Sequence, residues 1–349
     1  MTDRRRVVRH DPAMATAPLF RPLQKGEGVR PKLDLRQEFG GSTIWYRGPD
    51  ALGVSDQTVL FAVLCLAQKK GKELLPSTTG HYTRRALADL LPVPESYPLR
   101  TVYVDTTLYE MLQTAAMRDD GRSYKQLRDC IDRLAAVTVF VDRGGNSPPP
   151  MRLLSRVVKD DGRIKLALNE RLALAFVGQY VTIDLRERQR LPSDAAKVLH
   201  AWLSATVRRG RAWNCTIDKL AYHIYGDSSG NDLRRKRRER TKEALESISR
   251  LPGWSASISD GVACIVRDSG ARTTTAVNPA PVISVTHCRD IRHAVFLFIA
   301  RQYRLFSNML SLYYSLQGIT TLAALWKSAR SHHQRSGKSE NSACPVTAR

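Results

Sequence analysis

Apolar residues along the chain recur with two periods, and the switches between them mark out elements. A three-to-four-residue period runs through Val59, Leu60, Val63, Leu64 and Ala67, with Ser55 as N-cap and Gly71 as stop. It returns at Leu108, Met111, Leu112 and Ala115 behind Thr106 or Thr107, and again at Leu127, Cys130, Ile131 and Leu134. It returns once more at Ala196, Val198, Leu199, Trp202 and Leu203 behind Ser193, and at Leu220, Ala221 and Ile224 behind Asp218. Glu170 to Val177 reads as a short helix. The longest uninterrupted case is Asn231 to Leu251, without Gly or Pro, whose stripe is Thr241, Ala244, Leu245, Ile248 and Leu251. A period of two predicts strands. Leu33 and Leu35 face Ile44 and Tyr46 across Gly40-Gly41, a turn that permits positive φ. Val137–Asp142, Met151–Lys159 and Arg163–Leu168 follow the third helix. Tyr180–Leu185 and Ala212–Ile217 are single strands, and Trp254–Ile258 pairs with Val262–Val266 across Asp260-Gly261. Between residues 74 and 105 the pattern is weak; it allows a helix over Thr83–Leu91 and a strand over Val102–Val104.

The order of elements repeats. A long helix, a short helix, a turn, a basic helix and β strands occur once before residue 169 and once after. In the first copy the turn is Arg118-Asp119-Asp120-Gly121 and the following helix runs from Ser123 to about Ala136. In the second the turn is Asp227–Gly230. Helix, short turn and helix followed by a β hairpin is the order of a winged helix. The predicted class is α+β, with two tandem winged-helix domains over 32–169 and 170–268. A basic arm over 1–31 precedes them and a helical or disordered extension over 269–349 follows. Pro12, Pro18, Pro22 and Pro31 are expected to break any helix in the first segment, leaving either an arm on phosphates or a tail packed on the first domain.

Charge adds the partner. The chain has 349 residues, 42% hydrophobic, with a formal net charge of +22 and a pI near 10.1. An excess of that size implies a polyanion, and nucleic acid is the commonest. The positive charge is densest at the start of the Asn231–Leu251 helix, where Arg234, Arg235, Lys236, Arg237, Arg238, Arg240 and Lys242 precede the apolar anchor. A helix cationic at its start and apolar at its end suits entry into a DNA groove. The alternative is a solvated face or disordered arm. The first copy offers a weaker equivalent in Arg122, Lys125 and Arg128. The basic helix has too thin an apolar face in its charged half to lie on lipid, so a membrane is not favoured.

Catalytic and metal-binding patterns are not found. The six cysteines are scattered, with no C-x-x-C and no His at zinc-finger spacing, which fits a reduced cytoplasm. No apolar stretch follows the basic N-terminus as in a secretory signal. Gly337-Lys338-Ser339 resembles the end of a phosphate-binding loop, but its earlier glycine position is His332. Tyr313-Tyr314 has apolar neighbours and reads as packing. Asp119-Asp120 and Asp160-Asp161 read as turn residues. No cofactor and no metal is expected. Leu305–Trp326 carries no charge and would reach across a bilayer, yet its Ser, Asn, Gln and Thr residues favour a helical hairpin broken at Gly318, or an extension past an ancestral stop.

Several stretches together resemble the replication protein C family, initiators of IncQ-type plasmids. They are V-R-H-D-P-A from Val8, A-P-L-F-R from Ala17, K-L-D from Lys32, G-P-D-A-L-G from Gly48, D-C-I-D-R-L from Asp129, R-L-L-S from Arg152, D-G-R from Asp161 and R-K-R-R-E-R-T-K-E-A-L from Arg235. They are collinear and span about three quarters of the chain. The resemblance implies a non-enzymatic, cytoplasmic initiator that binds direct repeats, iterons, in double-stranded origin DNA. It implies opening of adjacent AT-rich DNA, action with a plasmid helicase and primase, a part in copy control, and room for a homodimer. By position, the Ser123–Ala136 and Leu233–Leu251 helices would read the groove. Residues 74–105 and 269–349 lie outside the resemblance. The alternatives are a winged-helix transcriptional repressor and an origin-nicking or priming enzyme.

Overall fold

The computed structural model describes residues 7–23, 30–74, 101–145, 147–158, 163–227 and 230–268, all within one compact unit spanning residues 1–272. The helix expected over Thr83–Leu91, the Asp160-Asp161 turn, and everything read from residue 269 onward lie outside the described residues.

The chain begins with β1 (Val7–His10), α1 (Pro12–Thr16) and β2 (Phe20–Arg21). Pro12 does not break this helix. It occupies the first turn, where the missing N–H costs nothing, and Asp11 caps the helix by accepting from the Met14 N–H at 2.8 Å. The predicted hairpin is β3 (Leu33–Phe39) and β4 (Ser42–Gly48), with Gly40 and Gly41 at φ 58° and 75°. After β5 (Leu52–Gly53), the first long helix is α2 (Val54–Lys70). Its N-cap is Gly53, not Ser55, because the Asp56 carboxylate reaches back to the Gly53 N–H at 2.7 Å.

Next come β6 (Lys72–Leu74), β7 (Thr101–Thr107) and α3 (Leu108–Ala115), capped by the Thr107 hydroxyl. Ala116 turns into the left-handed region at φ 53° and ends α3. Asp120 then caps α4 (Gly121–Ala136), accepting from the Ser123 N–H, so the helix starts two residues before the position read from sequence.

The strands after α4 are β8 (Thr138–Asp142), β9 (Met151–Arg152), β10 (Leu154–Val158) and β11 (Arg163–Leu168). Strand β8 joins the β3–β4 hairpin, and its pairing with β9 is only two residues long. The hairpin facing α4 is β10–β11, and β11 pairs back onto β7.

A linker of α5 (Glu170–Leu174), β12 (Val181–Asp184) and α6 (Leu185–Gln189) leads to α7 (Asp194–Thr206). The second repeat follows with β13 (Ala212–Thr216), α8 (Ile217–Tyr225), α9 (Asn231–Ser249), β14 (Trp254–Ser259) and β15 (Val262–Arg267). Thr216, not Asp218, is the N-cap of α8. The sheet order is β13-β15-β14, and in the first repeat the corresponding order is β7-β11-β10. The two copies therefore share topology as well as element order, and β3, β4, β8 and β9 form an additional sheet on the first.

Two apolar cores result. The larger gathers Leu60, Leu64, Leu112, Leu127, Ile131, Leu134, Leu166 and Leu168. The smaller gathers Leu199, Leu203, Leu220, Ile224, Leu245, Ile248 and Ile265. The N-terminal segment straps them together. Strand β1 pairs antiparallel with β12, α1 packs on α7, and β2 packs on α2, α7 and α8. Among the described residues no helix is long and apolar enough to cross a membrane.

Candidate nucleic-acid interface

Helix α9 buries Thr241, Ala244, Leu245 and Ile248 and leaves its first half outside the core. The stripe read from sequence is the buried face. Burying Leu245 and Ile248 contributes roughly 1.5–3 kcal/mol each, which holds the helix while its polar half stays wet. Arg234, Arg235, Lys236 and Arg240 are exposed and form no ion pair among the described residues.

Three of the seven cations chosen from sequence are engaged inside the chain. The Arg237 guanidinium folds back onto the turn before the helix. Its Nη1 donates to the carbonyls of Gly226 at 3.1 Å and Asp227 at 3.0 Å, and the group lies 5.4 Å from the Tyr225 ring. Arg237 thus holds the turn rather than projecting as a free phosphate contact. Arg238 donates through Nε and Nη2 to the two Asp218 carboxylate oxygens at 2.5 and 2.6 Å. Both partners are exposed, so water and salt weaken the pair and it can exchange for a phosphate. Lys242 pairs with Glu239 one turn away at 3.0 Å, also in the open. The sequence predicts Asp218 as the cap of α8, a place taken by Thr216. The position of Asp218 in the first turn of α8 instead places it against the basic helix, and the bond from Arg238 keeps its carboxyl below the usual aspartate range.

Between α8 and the start of α9 is a cleft of about 290 Å³, lined by Asp218, Tyr222, Asp227, Arg234, Arg237 and Arg238. Gly226 opens the turn at φ 73°, which glycine adopts without a Cβ penalty.

In the first repeat, Arg122, Lys125 and Arg128 are all exposed on α4 and make no ion pair among the described residues. Leu127, Cys130, Ile131 and Leu134 face inward. Cys130 is core, as read: burial raises its pKa well above that of a free thiol, so it is inert. Arg133, on the inner side, donates to the fully buried Asp56 carboxylate at 2.9 Å, and Arg30 meets the same carboxylate at 2.9 Å. That ion-paired knot ties α4 to the first turn of α2. Sequence reading missed it because Asp56, Arg30 and Arg133 are far apart in the chain.

Among the described residues no group of three or more His, Cys, Asp or Glu side chains could hold a metal ion. The basic segment of α9 and the exposed residues of α4 thus occupy the same place in two copies of one topology, each entered by a short helix and a turn.

No curated protein matches the chain by sequence. Among the solved structures that align with it are two of domains 2 and 3 of RctB. One, of selenomethionine derivatives, shares 13% identity at a TM-score of 0.44 and covers 74% of this chain and 98% of its own. The other shares 12% identity at a TM-score of 0.44, with 73% and 96% covered. The family model of replication protein C (RepC) matches residues 3–263, through both repeats and both basic helices, and the chain belongs to that family.

Proposed function

We propose that this replication initiator is a non-enzymatic protein with two winged-helix domains, over residues 32–169 and 170–268, that grips iteron repeats in double-stranded origin DNA. Helices α4 and α9 are the groove-facing elements, and the β10–β11 and β14–β15 hairpins are the wings. Arg234, Arg235, Lys236 and Arg240 carry the second domain's contacts, joined by Arg238 and Lys242 as their weak pairs open. Arg122, Lys125 and Arg128 carry the first domain's contacts. The supporting observation is the recurrence, in two topologically matching units, of an exposed basic helix whose cations are mostly unpaired while its opposite face is core.

The physics is additive. Each cation reaching a phosphate releases condensed counterions, so affinity falls with salt by a slope of about 0.9 per contact. An arginine meeting guanine in bidentate fashion adds about 1–3 kcal/mol of discrimination. Two joined modules bind more tightly than either alone. Binding energy spent on bending flexible AT steps would assist strand opening, after which a plasmid helicase and primase act. The protein contributes grip and geometry, with no bond made or broken.

Two measurements test this. Arg235→Ala with Lys236→Ala should weaken binding to an iteron duplex and flatten the salt slope by about 1.8 for two lost contacts. An unchanged slope removes α9 from the interface. Supercoiled origin DNA incubated with the protein and Mg²⁺ should stay supercoiled; nicked or relaxed product overturns the non-enzymatic reading.

A further inference from the structure

The N-terminal strap carries a cation into the second repeat that neither the basic helix nor its turn supplies. Arg21 ends β2, which runs parallel to β5 with Arg21 opposite Gly53, at the residue that caps α2. Its backbone is therefore fixed by the first repeat. Its side chain extends to the second: Nη1 lies 3.8 Å from the point a Cβ would occupy on Gly226. Gly226 is also the residue whose carbonyl accepts from Arg237. Two guanidinium groups from segments far apart in the sequence thus meet at one turn.

The charge balance there is positive. The cleft between α8 and α9 has Arg234, Arg237 and Arg238 on its wall, against Asp218 and Asp227. Asp218 is already bound by Arg238. Arg21 adds a further positive charge. Burial lowers the Arg237 pKa, the Tyr225 ring hydroxyl opposes that, and Arg21 lowers it further. Like charges held this close raise the energy of the free protein, and an anion between them relieves it.

We propose that Arg21 is a DNA-contacting residue, completing with Arg234 and Arg238 a site for a backbone phosphodiester beside the turn that Arg237 holds in the second repeat. This rests on the DNA-binding reading above and adds a residue to it. The site is assigned to a phosphodiester rather than a base because its cations gather at the turn before α9, and contacts to phosphate fix register without carrying sequence information. Arg21 belongs by its backbone to the first repeat. The contact therefore makes the grip of the second repeat depend on its placement against the first.

The test uses the full chain with Arg21→Gln and Arg21→Lys, an iteron duplex and a duplex of scrambled sequence, each titrated over a range of salt. The wild-type chain should bind both duplexes with a steep salt slope. Arg21→Gln should weaken both by a similar factor and reduce the slope by about 0.9, while Arg21→Lys, which keeps the charge, retains the wild-type slope. A wild-type slope in Arg21→Gln overturns the site while leaving the DNA reading intact. So does a loss confined to the iteron duplex, which would indicate a base contact, or a slope lost equally in Arg21→Lys, which would indicate packing. Absence of salt-dependent binding in the wild type overturns both proposals together.

Discussion

At the scale of single residues, two histidines packed on aromatic rings, His10 buried and His223 half-buried, predict how stability depends on pH. His10 is fully enclosed and stacks edge-on against Phe61, and burial lowers its pKa from 6.5 to about 4. His223 lies flat on Trp202 at 4.0 Å between ring centroids, and burial again lowers it to about 4. In the unfolded chain both would take up protons near pH 6.5. Between about pH 6.5 and 4 the unfolded state therefore binds more protons. Stability is complete above that window and falls as pH drops through it, by at most about 1.4 kcal/mol per pH unit for His10 and by less for His223, whose partial exposure lets solvent screen the charge. Urea unfolding at pH 7 and pH 5 should show the loss, and His223→Phe, which keeps a ring on Trp202, should shrink it. A stability equal at both pH values would contradict the burial of these rings. On the surface, Asp218 holds Arg238, and in the proposed complex a phosphate would compete for the same guanidinium. Asp218→Asn should tighten duplex binding and steepen the salt slope by about 0.9; an unaltered slope would mean that Arg238 does not reach a phosphate. The cations were legible in the sequence, and so was the apolar stripe beneath them. Their partners were not. Asp218 is twenty residues from Arg238 by sequence number, and its pattern predicts a cap, a place that Thr216 holds instead.

At the scale of elements, local chemistry decided what could be read ahead. Gly40-Gly41 and Asp260-Gly261 both turn with positive φ, and the hairpins around them stand where the alternation put them. Helix α9 runs over nearly its whole predicted length because nothing in Asn231–Ser249 breaks the period. Long-range pairing was not legible. Val137–Asp142 alternates well, but nothing local says that it pairs with β4 and leaves β10–β11 to serve the first repeat. The short α6 was missed because five residues hold less than two turns of pattern. The knot at Asp56 was equally silent, and it makes a strong prediction. Asp56→Ala leaves Arg133 half-buried without its carboxylate and should destabilise by about 3–5 kcal/mol in chemical denaturation. A change below about 1 kcal/mol would show that the helix pair does not depend on this bridge. By contrast Ser193→Ala, which removes the hydroxyl accepting from the Ala196 N–H, should cost only about 1 kcal/mol.

At the scale of the whole molecule, α6 joins the two repeats through adjacent residues. Arg188 is buried and donates to Gln57 at 2.8 Å and Thr58 at 2.9 Å on α2, and burial without a bonded carboxylate lowers its pKa to about 10. Glu187 accepts from His200 on α7 and from Trp254 on β14, both at 2.9 Å. One residue of α6 thus grips the first repeat and its neighbour grips the second. Arg188→Ala should lower stability by about 2–4 kcal/mol, read by denaturation, because Gln57 and Thr58 are left without their donor. A joint of this kind couples the two repeats, as the proposed grip of both on one stretch of DNA would require. The repeated plan could be seen in the order of elements, whereas the strap and the joint that unite its copies come from pairings between distant segments. The most direct test is a footprint of the full chain on its own origin DNA, with wild type, with Arg234, Arg235, Lys236 and Arg240 changed to Ala, and with Arg122, Lys125 and Arg128 changed to Ala. Wild type should protect both parts of each repeat, the α9 variant should lose one part, and the α4 variant should lose the adjoining part. Full protection in either variant, or no protection by wild type, would contradict a grip made by two basic helices.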